Sequence, residues 1–250
     1  MRFILIFSLL LAPRVTGGYT PPSPTPVSFP NKINFSPSKF NPLPLFNNQH
    51  IQTVGGALLR KTKFVGAQTR ATVRTVDDND FFDVDITTSP TSRSSSKRIC
   101  VMLHGLESTS SSPLCQAMSA EFVTLANVDE VHTICFRGCS GRPNETPGAY
   151  HLGFTSDIKH YLEILAKENP DGRVYLSGFS LGANVVLKCL GELGPSASTT
   201  RYNVQGAAVT CVPFDCERCQ PRLDCDGFNK NVYSRNFLKT LIAKTEDQVR

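Results

Sequence analysis

No aspartate or glutamate occurs before Asp77, although nine lysines and arginines do. The formal charge of +5 is therefore an N-terminal property. Residues 77–250 hold 17 of the 26 basic residues against all 21 acidic ones, a net −4. A mildly acidic body with no basic helix and no basic patch interleaved with aromatics excludes a nucleic-acid partner. No run approaches the ~20 apolar residues of a membrane-spanning helix. Internal repeats are absent. The nine cysteines do not read as a disulfide framework, because the number is odd and several lie within apolar strands or a helix, where a thiol acts as a small hydrophobe. Cys216-Glu-Arg-Cys219 has a zinc-ligand spacing, but Cys219 and Cys225 do not make a second such pair. No metal and no cofactor is expected.

The N-terminus has its own character. Arg2, the apolar run Phe3 to Ala12 and the small residues of Val15-Thr16-Gly17 give residues 1–17 the form of a secretory signal. Residues 18–45 are rich in Pro, Ser, Thr, Asn and Phe, a composition shared by organelle transit tracts and disordered linkers. Together they point to the secretory route, or to a plastid reached through it. The Phe-rich stretch 29–46 shows no clear amphipathic helix.

Residues 46–250 read as one domain. After an ordered lead-in over 46–61, two alternating segments, Arg70 to Asp77 and Phe81 to Thr87, flank Asp78-Asn79-Asp80 as a hairpin. Buried strands follow at Arg98 to Leu103, Val131 to Phe136, Arg173 to Ser177 and Val204 to Val212. Helical spacing marks Pro113 to Ala126, Gly153 to Asn169, Leu181 to Leu193 and Asn231 onward. In the second of these, Ile158, Tyr161, Leu162 and Leu165 share one face, and Pro170-Asp171-Gly172 ends it. Short buried strands alternating with helices predict an α/β fold with a mostly parallel, doubly wound sheet led by an antiparallel hairpin.

Chemistry enters at Gly178-Phe179-Ser180-Leu181-Gly182, a G-x-S-x-G pattern between a buried strand and a helix. In that context it forms a nucleophile elbow: a tight turn that lifts a serine hydroxyl above the sheet at a helix N-terminus, where developing negative charge is favoured. His104-Gly105-Leu106-Glu107 closes an earlier strand, the place from which the second oxyanion donor comes in this architecture. The backbone amides of Leu106 and Leu181 are thus the expected oxyanion hole for Ser180. His104 is expected to shape its loop, and Arg137 to pair with Asp157. Asn144-Glu145-Thr146 is a glycosylation sequon by pattern.

These segments resemble the YheT/EMB8-type branch of the α/β-hydrolases, which includes lipid hydrolases and related ethanol acyltransferases. The likeness runs from Phe46 to about Leu241. It rests on Asn48-Gln49-His50-Ile51-Gln52-Thr53, His104-Gly105-Leu106-Glu107-Ser108 and Phe136-Arg137-Gly138-Cys139-Ser140-Gly141 with Pro143-Asn144. Tyr150-His151-Leu152-Gly153, the elbow through Asn184, and Leu190-Gly191-Glu192 complete it. The family's usual glycine at position 183 is Ala183 here. The resemblance implies a serine esterase or lipase working through an acyl-enzyme on short- to medium-chain acyl, monoacylglycerol or phospholipid esters, with peripheral membrane contact. Transfer to an alcohol is an alternative with the same serine. Nothing in the sequence sets an oligomeric state.

The resemblance also raises a difficulty. A serine hydroxyl needs a base, and in this fold the chain order is Ser, acid, His. All five histidines, His50, His104, His132, His151 and His160, precede Ser180. Asp215, Asp224, Asp226 and Asp247 follow it but do not match the family's acid. A triad assembled from His151, His160 and Asp157 is disfavoured, because the resemblance places them in structural elements. The expectation is an incomplete hydrolase, nearly inactive as written, or a catalytically dead fragment that binds or does nothing.

Overall fold

The computed structural model describes residues 41–249 apart from 43, 45, 60–66, 78, 92–95 and 226. The signal-like segment 1–17 and all but three positions of the tract 18–45 lie outside the described residues. The chain divides after Arg60 into two compact units. The first holds helix α1 (Gln49–Leu59). Asn48 caps it, its Oδ1 accepting the His50 N–H at 2.8 Å.

The second unit contains, in order, β1 (Ala67–Arg74), β2 (Phe81–Thr88), β3 (Arg98–Leu103), α2 (Pro113–Thr124), β4 (Glu130–Cys135), α3 (Ser156–Glu168) and β5 (Arg173–Phe179). It continues with α4 (Leu181–Leu193), a 3-10 turn (Gly194–Ser198), β6 (Val204–Thr210), α5 (Cys216–Asp224), a π-helical turn (Asn229–Ser234) and α6 (Arg235–Val249). One six-stranded sheet runs in the order β1-β2-β4-β3-β5-β6. β1, β2 and β4 pair antiparallel, while β4, β3, β5 and β6 pair parallel. The predicted doubly wound sheet with its leading hairpin is therefore the observed one.

Period-two alternation divides the core between the two faces. Ile99, Val101 and Leu103 of β3 join Val84, Ile134, Leu176, the α3 face Ile158-Tyr161-Leu162-Leu165, and Val185 and Val186 of α4. Cys100 and Met102 point the other way, into a smaller cluster with Cys115 and Val123 of α2 and Phe179. Each such buried aliphatic side chain stabilises the fold by roughly 1.5–3 kcal/mol. The five cysteines before position 190 are all buried free thiols, as their apolar surroundings predict.

Several expectations shift. β6 is not a buried strand: Val204 is buried, but Gln205, Ala207, Ala208 and Thr210 are exposed, because β6 lies at one edge of the sheet. α3 starts at Ser156 rather than Gly153, with residues 151–153 forming a turn in which Gly153 N–H donates to His151 Nδ1 at 3.1 Å. α5 takes up the cysteine-rich segment, and Asp215 caps it by accepting the Arg218 N–H at 3.0 Å. Among the described residues, no cluster of three or more His, Cys, Asp or Glu could hold a metal ion. None of their helices is long and apolar enough to cross a membrane.

Candidate active site

Successive parallel strands leave β3 in opposite directions: β4 pairs on one side of it and β5 on the other. In open α/β sheets, the carboxyl ends of strands at such a reversal frame the ligand crevice. The loops at that point are His104–Glu107 after β3 and Ser180 after β5.

Ser180 has φ 56° and ψ −124°, a backbone conformation that L-residues rarely adopt. Such strain costs of order 1–3 kcal/mol and must be held by its surroundings. Here Ser180 N–H donates to Thr210 O on β6 at 3.0 Å, and Asn184 N–H donates to Ser180 O at 3.2 Å to start α4. The two flanking glycines are steric requirements. A Cβ on Gly178 would lie 2.7 Å from Gly182 O, and one on Gly182 would lie 2.4 Å from Leu103 O. The elbow thus packs against the end of β3. Phe179, Leu181 and Gly182 are buried while Ser180 is exposed. As the first residue of α4, Leu181 has no intrahelical acceptor for its N–H.

The β3 loop is braced by His104, which is fully buried. Phe136 N–H donates to His104 Nε2 at 3.1 Å, so the proton resides on Nδ1, which donates to Gly105 O at 2.8 Å. Burial lowers the His104 pKa to about 4 and keeps the ring neutral. Its role is the structural one expected from sequence. Gly105 lies directly beside the elbow, since a Cβ placed on it would be 3.4 Å from Ser180 Cβ. Ser108 N–H donates to Gly105 O at 3.2 Å, closing a turn with Leu106 and Glu107 at its centre. No hydrogen bond engages the N–H of Leu106 or Leu181 among the described residues.

The remaining histidines of this unit are bonded away from Ser180. His132 lies between Tyr161 Oη at 2.7 Å and Glu130 Oε2 at 3.1 Å. His160 Nε2 bonds Arg74 O at 3.1 Å. His151 Nδ1 accepts from Gly153 N–H, and burial together with Lys188 depresses its pKa. Asp157 is occupied by Arg137 through bonds of 3.0 and 2.7 Å, as the sequence suggested. Asn144, the sequon residue, is a structural keystone. Its Nδ2 donates to Asp80 Oδ1 at 2.9 Å and to Phe81 O at 2.6 Å, and its Oδ1 accepts the Gly138 N–H.

Three residues that sequence reasoning gave no role gather at the loop after β3. Glu107 N–H donates to Tyr150 Oη at 2.9 Å, and the Tyr150 hydroxyl donates to Glu107 Oε1 at 2.7 Å. Lys244 on α6 donates to Glu107 Oε1, also at 2.7 Å. Glu107 and Tyr150 fall in segments singled out in the sequence. Lys244 carried no signal.

Known proteins are similar to this chain in sequence. The Escherichia coli protein named "Putative esterase YheT" is 31% identical over 209 residues, covering 83% of this chain and 58% of that protein. The chain is an α/β-hydrolase of the YheT type. Two Saccharomyces cerevisiae proteins also match this YheT-type chain. "Medium-chain fatty acid ethyl ester synthase/esterase 2" is 27% identical over 143 residues, 57% of this chain and 30% of that protein. "Monoacylglycerol lipase" is 32% identical over 156 residues, 58% and 33% respectively. The YheT-type chain thus spans between about a third and three-fifths of the length of these relatives. No protein-family model matches it.

Proposed function

We propose that this YheT-type chain is a serine carboxylic-ester hydrolase with Ser180 as nucleophile. The observation that carries the proposal is the exposed serine in a strained backbone, next to the Gly105 turn, with the Leu106 and Leu181 N–H groups unengaged among the described residues. Ser180 Oγ attacks the ester carbonyl carbon and loses its proton to a base. The carbonyl oxygen becomes an oxyanion held by the Leu106 and Leu181 N–H groups, each worth about 3 kcal/mol in the transition state. Collapse expels the alcohol, which takes up the proton, and leaves an acyl-Ser180 ester. Water repeats the sequence on that ester and releases the acid.

The names of the yeast relatives favour medium-chain fatty acid esters and monoacylglycerols as substrates. The word "synthase" in one of those names supports a second reading, in which an alcohol replaces water at the acyl-enzyme. Among the described residues no histidine or carboxylate bonds Ser180. Without a base, loss of about a millionfold in turnover is usual. The residues in hand therefore supply the nucleophile and the oxyanion hole, and slow turnover is expected of them. Hydrolysis of a short-chain aryl ester, compared between the wild-type chain and Ser180→Ala with and without added imidazole, tests this. Turnover that needs Ser180 and rises with imidazole supports the reading. A rate unchanged in Ser180→Ala refutes it. Product analysis in ethanol–water mixtures separates hydrolysis from transfer.

A further inference from the structure

The turn that presents Leu106 is built against local preference. Glu107, its third residue, has φ 52°, a conformation that favours glycine or asparagine at this turn position. For an ordinary side chain the left-handed region costs roughly 1–2 kcal/mol. Something must hold Glu107 there, and the structure shows what does.

Tyr150 and Glu107 exchange two hydrogen bonds, backbone N–H to hydroxyl at 2.9 Å and hydroxyl to carboxylate at 2.7 Å. Tyr150 is buried, and its ring stacks on Phe136 with centroids 4.7 Å apart and planes 9° from parallel. Phe136 in turn meets His104 edge-on at 4.9 Å. His104 holds Gly105 O at 2.8 Å. One aromatic stack thus grips both neighbours of Leu106: the Gly105 carbonyl through His104 and the Glu107 amide through Tyr150. Burial raises the tyrosine's pKa and keeps the hydroxyl protonated as a donor. Lys244 contributes charge, bonding Glu107 Oε1 at 2.7 Å and Cys139 Sγ at 3.1 Å.

We infer that Tyr150, through its paired hydrogen bonds with Glu107, is a positioning residue that aims the Leu106 N–H at the oxyanion. The inference rests on the proposed Ser180 chemistry. It assigns Tyr150 an effect on rate, although the hydrogen bonds of its hydroxyl go to Glu107. Tyr150→Phe removes the hydroxyl and keeps the stacked ring, so the fold should survive. Glu107→Gln keeps an acceptor for the hydroxyl and should be milder.

The test uses the full chain and two readouts. The first is amide hydrogen exchange by mass spectrometry. Tyr150→Phe should speed exchange in peptides covering 104–108 and leave β5 unchanged. The second is the reaction of Ser180 with a fluorophosphonate, whose oxygen takes the oxyanion position. The maximal inactivation rate should fall about tenfold, less than the hundredfold or more typical for outright loss of a donor, with the half-saturating concentration unchanged. Ser180-dependent labelling at the wild-type rate in Tyr150→Phe, or unaltered exchange at 104–108, overturns the positioning role and leaves the nucleophile assignment standing. Labelling that is absent or independent of Ser180 in the wild-type chain removes the functional reading and this inference with it.

Discussion

Gly182 and Leu103 touch through their main chains: the position where a side chain on Gly182 would begin lies 2.4 Å from the Leu103 carbonyl oxygen. The start of the helix behind Ser180 is thereby seated on the end of the strand that leads into the His104–Glu107 loop. The Ser180 turn and the loop after β3 therefore share one main-chain contact.

Gly182→Ala should consequently be costly. The obstructing atoms are backbone, at 2.4 Å from Leu103 O and 2.5 Å from His104 O, and cannot swing aside as a side-chain tip would. A loss of about 3 kcal/mol in urea unfolding is expected, at the upper end of ordinary overpacking. The control is Gly191→Ala, on the same helix, where an added Cβ meets nothing within 4 Å. That substitution should be neutral or slightly stabilising.

Strain at Ser180 should be recoverable. At φ 56° and ψ −124° a serine stores of order 1–3 kcal/mol. Glycine adopts such a conformation freely but brings extra unfolded-state entropy, about 0.5–1 kcal/mol. Ser180→Gly should therefore raise the unfolding free energy by about 1 kcal/mol while abolishing reaction with ester or phosphonate. Thermal and urea denaturation of the two proteins side by side provide the measurement.

Mild acid should weaken the fold through His104. Burial holds its folded pKa at about 4, below the ordinary value near 6.5. Between these values the unfolded chain binds a proton that the folded chain refuses. Stability is thus complete above about pH 6.5 and is lost as pH falls toward 4, by an amount on the order of 3 kcal/mol. Urea midpoints from pH 7 to pH 4.5 should follow that slope, and His104→Gln should flatten it.

Asp83 titrates in a separate window. It is fully buried on β2, and Arg142 grips it with bonds of 2.9 and 2.6 Å. Burial pushes its pKa up, but the bonds from Arg142 and Thr72 more than offset this and hold it at about 2. A depressed carboxylate contributes stability that is present above about pH 4 and lost as pH falls toward 2. Arg142→Ala should cost about 2–3 kcal/mol at pH 7, less than the 3–5 of a fully enclosed pair because the Arg142 side chain is 46% exposed. The deficit should shrink in that acid window.

What the sequence disclosed follows from how local each signal is. The elbow was legible because Gly178, Ser180 and Gly182 lie within five residues and meet sterically as neighbours. α3 was legible because Ile158, Tyr161, Leu162 and Leu165 repeat at the helical period. α5 was harder to see: Pro221 interrupts it, none of its residues is buried, and only the Asp215 cap marks its start. The edge position of β6 depends on strand order, which no single strand encodes. Glu107 bonds to Tyr150 and Lys244 across 43 and 137 residues of chain, a separation at which spacing carries no information. The residues that tune the candidate site therefore became visible only once the chain was folded.

Covalent capture of Ser180 tests the central claim most directly. The 250-residue protein is treated with a fluorophosphonate in the presence of imidazole, digested, and the adduct located by mass spectrometry. The account predicts one adduct, on the peptide carrying Ser180, formed faster as imidazole rises and missing from Ser180→Ala. No adduct on that peptide, or one elsewhere that persists in Ser180→Ala, would contradict it.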